Sequence, residues 1–309
     1  MDSIGDYLKK MESSNETRAT YRKIIQDVLK NREVIDFINK NKEELSEEAI
    51  ERSAANLYEF VVEKEKADRG EGQLLSGYYP KLILNNKKIE VSYIPTNEQI
   101  QKRAQKELKN RIRSIHMPKN IKEATFDQFE LTHGREEALD RSLQFVENYI
   151  QEPDRFQKGL YLHGAFGVGK TYLLGAIAHE LSTFGYPSTL VHYPTFATEM
   201  RSSVGDQTTG SKLEAYKNAP ILMLDDIGAE YPTSWIRDDV LGVILQYRMQ
   251  NELATFFSSN FNMKELENDH LRYNQNGDDE LLKAKRILER VRFLTDEIGM
   301  TGTNRRNTN

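Results

Sequence analysis

The sequence predicts an α/β fold, a parallel sheet with helices on both faces, preceded by a mainly helical N-terminal module that carries a hairpin. Three observations carry this. From about Ala124 onward short apolar runs alternate with stretches of helical periodicity, as in strands joined by crossover helices. Residues 164–171 read Gly-Ala-Phe-Gly-Val-Gly-Lys-Thr, with every fixed position of the phosphate-loop pattern filled. Further on, the apolar run Ile221-Leu222-Met223-Leu224 ends in the paired carboxylates Asp225 and Asp226.

The elements follow in order. Tyr21, Ile24, Ile25, Val28 and Leu29 form one apolar stripe, and Ile50, Ala54, Leu57, Tyr58 and Val61 another. Both have helical spacing and read as core-facing. The polar stretch from Glu63 to Gly77 reads as a loop. The period then becomes two: Leu82 and Leu84 alternate, Asn85-Asn86 supply a turn, and Ile89, Val91 and Tyr93 alternate again. Residues 101–120 carry seven Lys or Arg against one Glu. A solvated linker helix is the plain reading and a nucleic-acid contact the alternative, and Pro118 ends that helix. The expected domains are 1–100, a basic linker 101–123, and 124–309. Within the last, strands are expected at 159–163, 188–193, 220–225, 255–260 and 297–301. Helices are expected near 136–150, 171–183, 195–204, 233–250 and 280–295.

Composition narrows the function. With 309 residues and a net charge of −5, the chain is not a generally basic nucleic-acid coat, so any DNA contact must be local. Cysteine is absent, which excludes disulfides and thiolate metal sites and fits a reducing compartment. No apolar stretch approaches the length of a membrane helix. A soluble, cytoplasmic protein is expected.

The motifs specify chemistry. Gly164, Gly167 and Gly169 let backbone N–H groups turn inward to cradle phosphate oxygens. Lys170 can reach the β- and γ-phosphates, and the Thr171 hydroxyl can hold Mg²⁺. A short apolar run, Leu160 to Leu162, precedes the loop and a helical pattern follows it, which places a helix N-terminus against the phosphates. The motif therefore predicts nucleoside triphosphate binding. Asp225 is the natural second partner for Mg²⁺. Asp226 sits where a general base or water-orienting group is needed. The strand from Thr255 turns polar at Ser258-Ser259-Asn260, so Asn260 is placed to meet the γ-phosphate or the attacking water. In the helix near 280–295, Arg286 and Arg290 lie i, i+4 on the side nearly opposite the stripe of Leu281, Ala284, Leu288 and Val291. Such a pair repels itself unless an anion lies opposite. The plain reading is a solvated face. The sharper one is an arginine finger acting on a neighbouring subunit's phosphate.

Taken together these residues resemble the AAA+ ATPases, in the branch of replication initiators and helicase loaders. GAFGVGKT at 164–171, LMLDDIGAE at 222–230, SSN at 258–260 and KRILERVR at 285–292 stand in the family order. The resemblance covers the whole chain. LDDIGAE, the run Thr233 to Asp238 and the closing Asn304-Arg305-Arg306 single out the loaders. It implies that Ala124–Phe129 lies against the adenine, with Phe126 a nucleotide contact. It also implies ATP and Mg²⁺ as cofactors, Asn260 as sensor, and Arg290, with Arg286 beside it, as the finger. Trp235 falls where a related loader places an aromatic in its DNA-contacting segment, and stacking on unpaired bases suits sequence-tolerant binding. Packing into the fold is the alternative for this Trp. The implied partners are the hexameric replicative helicase, gripped by the N-terminal domain, single-stranded DNA, and further copies of the chain.

Departures from the family pattern sharpen these expectations. Asp226 stands where many AAA+ enzymes have Glu, so slow intrinsic hydrolysis, stimulated by DNA or partner, is expected. Residues 1–115 contain neither Cys nor His, so a zinc site of the usual ligands, which some loaders carry there, is not expected. Only seven residues follow Gly302, so a helical lid with a second sensor arginine is not expected. Two other functions fit the motifs: a transposition-helper ATPase, and a nucleotide-dependent DNA-binding adaptor that scarcely hydrolyses ATP.

Overall fold

The computed structural model describes residues 23–70, 75–115, 117–205, 208–231, 233–274 and 276–305. Tyr21 of the first stripe and Arg306 lie outside them. The chain divides into two compact units, residues 1–105 and 106–309.

In the first unit the helices Arg32–Lys40, Glu47–Arg52 and Ala54–Arg69 precede a hairpin of β1 (Tyr78–Asn85) and β2 (Lys88–Pro95). The third helix runs to Arg69, into the stretch expected as loop, and ends on left-handed Gly70. Its polar end is helical because the charges pair at helical spacing: Lys66 with Glu63 at i, i+3 and Arg69 with Glu65 at i, i+4. The hairpin turns one residue later than expected. Asn86 and Lys87 both have positive φ, 49° and 62°, the tight turn whose twist matches the strands. Val34, Leu57, Phe60, Leu82 and Ile89 form the core of this unit.

Polar contacts fix helix to hairpin. Buried Ser53 donates to Ala49 O at 2.7 Å and accepts the Ile89 N–H at 3.0 Å, while Asn56 donates to Ile89 O at 2.7 Å. Ser53→Ala strands that N–H in a dry interior. It is expected to destabilise this unit by about 1–3 kcal/mol, read as an earlier first transition in urea unfolding of the full chain. An unmoved transition would mean that the contact carries no weight.

The second unit is built on a parallel sheet in the order β3-β5-β6-β7-β4-β8. Its strands are β3 (Ile112–Ile115), β4 (Gly159–Gly164), β5 (Ser188–His192), β6 (Ile221–Ile227), β7 (Thr255–Ser259) and β8 (Thr295–Met300). β3 was expected to be linker. After a helix over Asn97–Arg111 the basic segment becomes an edge strand beside β5. Four residues, one of them Arg113, are too short and too charged to announce a strand, and edge strands tolerate such charge. The helices Thr209–Lys217 and Met263–Leu271 were also not anticipated.

Alternate residues of each strand feed two cores. Leu160, Leu162, Ile221, Met223 and Phe256 meet the helices Glu136–Gln151 and Lys170–Thr183. Tyr161, Leu222, Leu224 and Phe257 meet Tyr193–Ser203, Trp235–Gln250 and Leu281–Leu294. Among the described residues no helix is long and apolar enough to cross a membrane.

Candidate active site

A cleft of about 740 Å³ opens where the chain leaves the C-terminal ends of β4, β6 and β7, the crevice position of a parallel sheet. Strand order decides what meets there. The acidic strand β6 is not the neighbour of β4, because β7 lies between them. The tip of β7 therefore carries Asn260 into the gap between the lysine and the acids. Lys170 Nζ donates to Gly164 O at 2.7 Å, to Ala165 O at 2.9 Å and to Asn260 Oδ1 at 2.9 Å. Asn260 Nδ2 in turn donates to Asp226 Oδ1 at 3.1 Å.

Both aspartates reach the cleft, against simple strand alternation. Asp225 shares the face of Ile221 and Met223, the side of the helix that follows the phosphate loop. Asp226 should point the other way. Instead it has φ of 62°, and the β6–β7 register breaks between Leu224 and Ile227. Such a bulge re-aims a side chain. Ser258 on β7 pins the arrangement, donating to Asp225 Oδ1 at 2.5 Å and accepting the Asp226 N–H at 2.9 Å. Thr171 Oγ1 donates to the same Asp225 oxygen at 2.8 Å. Burial raises the Asp225 pKa, the bonds from Ser258 and Thr171 pull it back, and the Asp226 charge raises it further. A cation at this oxygen relieves both penalties.

Gly167, Gly169, Lys170, Thr171, Asp225, Asp226 and Asn260 all line the cleft. Gly164 does not. Its φ is 148°, and a Cβ there would lie 2.0 Å from Met300 O; glycine lets β8 pass close while its carbonyl holds Lys170. Phe126 does not line the cleft either. It is half-buried against the apolar core, and Phe129, at the other end of a tight turn closed by its N–H on Phe126 O, takes the cleft wall. Trp235 is half-buried against the opposite core, where the chain widens into a π-helix over Trp235–Leu241.

Arg286 and Arg290 lie away from this cleft, on a separate shallow groove with Met249 and Phe293. Arg286 is exposed. Arg290 is half-buried rather than fully outward, because the neighbouring helix packs alongside and Gly242 O accepts its Nη1 at 2.9 Å. Burial and the nearby Arg286 charge both lower the Arg290 pKa. Sequence reasoning also missed Arg135, His192, Ser258 and Arg305 in the cleft lining. Of these Ser258 and Arg305 left a signal, Ser258 in the polar end of the strand from Thr255 and Arg305 in the closing Asn304-Arg305-Arg306, but neither was assigned to the site.

The phosphate loop, the bulged acidic strand and the asparagine between them, on a sheet with this strand order, define a P-loop ATPase domain of the AAA+ class. A family described as "Primosomal protein DnaI N-terminus" matches residues 1–93, and one described as "Bacterial DnaA ATPAse domain" matches residues 121–274. The replicative helicase loader DnaI of Bacillus subtilis (strain 168) is 37% identical over 99% of both chains. A crystal structure of DnaI, 46% identical, superposes with a TM-score of 0.55 over 64% of this chain and 99% of its own. A putative primosome component from Streptococcus pyogenes serotype M3, 41% identical, gives 0.54 over 65% and 98%. The chain belongs to the DnaI family of replicative helicase loaders.

Proposed function

We propose that this chain is an ATP-dependent loader that places the hexameric replicative helicase on single-stranded DNA in the cytoplasm. The observation that carries this is the chain of contacts Lys170–Asn260–Asp226 beside Thr171–Asp225. It stands in a protein aligned end to end with a named helicase loader. The N-terminal match over residues 1–93 favours a helicase-gripping module over a transposition helper. In this reading residues 1–105 hold the helicase, and residues 106–309, which include the basic segment with its edge strand β3, bind ATP, DNA and further copies of the chain. ATP favours the assembled, DNA-engaged state, and hydrolysis releases it.

The donor set fits Mg²⁺. Thr171 Oγ1 and Asp225 Oδ1 lie 2.8 Å apart, close to the edge of an octahedron with metal–oxygen distances of about 2.1 Å. Bound there, the ion neutralises charge on the phosphates. Lys170 supplies a positive charge to the γ-phosphate, and Asn260 and Asp226 orient the attacking water. Asp226 is one methylene shorter than Glu and is held by Asn260, which supports slow intrinsic turnover. Arg290, with Arg286 beside it, acts on the nucleotide of the neighbouring subunit. Trp235 lies in the segment assigned to DNA.

Turnover tests this, measured with helicase and single-stranded DNA present. Asp226→Asn is expected to lose about 100-fold, within the usual range for a general base. Arg290→Ala is expected to lose at least as much while the ATP affinity of the isolated chain stays unchanged, because the finger acts across subunits. Wild-type turnover in Asp226→Asn would favour the non-hydrolysing adaptor.

A further inference from the structure

Arg135 stands out in the same cleft. It is 2% exposed, lines the cavity, and lies with its guanidinium 4.1 Å from the Phe129 ring centre. Nη1 donates to Glu130 O at 2.6 Å, but Nε is buried with no hydrogen-bond partner. Nη2 rests against Gly169, where a Cβ would come within 2.0 Å of it. The carboxylate that could neutralise Arg135 is engaged elsewhere: Glu130 pairs with Arg305 at 2.6 Å. Arg305 also lines the cleft, and its backbone N–H donates to Gly167 O in the phosphate loop at 3.2 Å. The Arg135 guanidinium thus lies against the phosphate loop at Gly169, while Arg305 is anchored to the loop at Gly167 by its backbone and holds its guanidinium on Glu130, also at the cleft wall.

A buried guanidinium with an unsatisfied donor, whose nearby carboxylate Glu130 is paired with another arginine, is destabilising in the free protein. Burial lowers the Arg135 pKa, and the Arg305 charge lowers it further. Both penalties fall if an anion enters between the two groups. Phe129 holds the Arg135 guanidinium over its ring face, 4.1 Å from the ring centre, at the wall of the cleft.

We propose that Arg135 and Arg305 form a second cationic subsite, within the same chain, for the polyphosphate of the bound nucleotide. The inference rests on the nucleotide-binding reading above and adds to it two positioning residues outside the phosphate-loop pattern. Arg305 exchanges or shares Glu130 for phosphate oxygen, so the end of the segment from Gly302 to Arg305, already bonded to the loop through the Arg305 N–H, is held there more firmly when the triphosphate is present. Lys170 then holds the phosphates from the helix end, and the two arginines hold them from the cleft wall.

Calorimetric titration of the full chain with Mg-ATP, and competition by inorganic tripolyphosphate, test this. Arg305→Ala and Arg135→Gln are each expected to weaken both ligands by the same factor, about tenfold, a typical cost for one charge-assisted contact. Arg305 is a partly exposed surface residue, so its variant keeps the test valid if Arg135→Gln fails to fold. If ATP binds as in wild type to Arg305→Ala and to folded Arg135→Gln, the subsite is overturned and nucleotide binding stands. Weakened ATP with unchanged tripolyphosphate also overturns it, since that marks a wall for the base. A wild-type chain that binds no ATP overturns this inference together with the reading beneath it.

Discussion

Lys170→Ala is expected to lower the affinity for Mg-ATP by at least about a hundredfold, taking binding out of the calorimetric range and turnover with it. The lysine is 7% exposed and faces two loop carbonyls and Asn260. Its Nζ therefore sits at the focus of the loop, ready to exchange neutral acceptors for phosphate oxygen. A charge-assisted contact contributes roughly 1.5–3 kcal/mol. The partly desolvated cleft, where charges are less screened than in water, argues for the upper end. Truncation also leaves Asn260 Oδ1 without this donor, so the link toward Asp226 loosens. The thermal stability of the unliganded variant is expected to stay near wild type, which separates lost binding from lost folding. Retained micromolar affinity would contradict the assignment of the loop.

Arg248→Met is expected to destabilise the ATPase domain by at least about 3 kcal/mol. For a domain of this size that lowers Tm by about 10 °C. Arg248 is fully buried. It donates to the carbonyls of Tyr216, Lys217 and Ala219 through Nη1, to that of Ala254 through Nη2, and to Thr255 Oγ1 through Nε. One side chain thereby ties the helix Gly242–Gln250 to the approach to β6 and to the start of β7. Those are the two strands whose far ends carry Asp225, Asp226 and Asn260. Burial pushes the Arg248 pKa down to about 9, so the charge persists at neutral pH and its removal returns part of the cost. The carbonyls left dry outweigh that gain, since each unsatisfied acceptor costs about 1–3 kcal/mol. Methionine fills similar volume, so the loss reads out hydrogen bonding rather than a cavity. A Tm within 2 °C of wild type, about the shift for half a kcal/mol, would contradict this account.

The strands of the ATPase domain other than the edge strand β3 were legible because buried parallel strands are short, mostly apolar runs, as Leu222 to Leu224 and Thr255 to Phe257 illustrate. Lys170, Thr171 and Asp225 were legible because phosphate chemistry needs those types at that spacing. Strand order was not, since periodicity says nothing of which strand pairs with which; hence Asn260 could be named but not placed between Lys170 and Asp226. The left-handed backbone at Asp226 is likewise tertiary in origin, fixed by Ser258 from another strand. Phe126 and Phe129 differ by one turn within one segment, and only packing decides which ring meets the cleft. Arg135 and Arg305 are remote from the motif in sequence, and the fold brings them to it. The helix through Glu63 to Arg69 was missed because polarity was weighed above the i, i+3 and i, i+4 charge pairs that sustain it.

The most direct test of the loader reading is the amount of replicative helicase retained on circular single-stranded DNA after a salt wash. The account predicts retention when this chain and Mg-ATP are both present, and its loss when either is withheld or when Lys170→Ala replaces the wild type. Helicase retained equally without the chain, or equally with the Lys170→Ala variant, would contradict it.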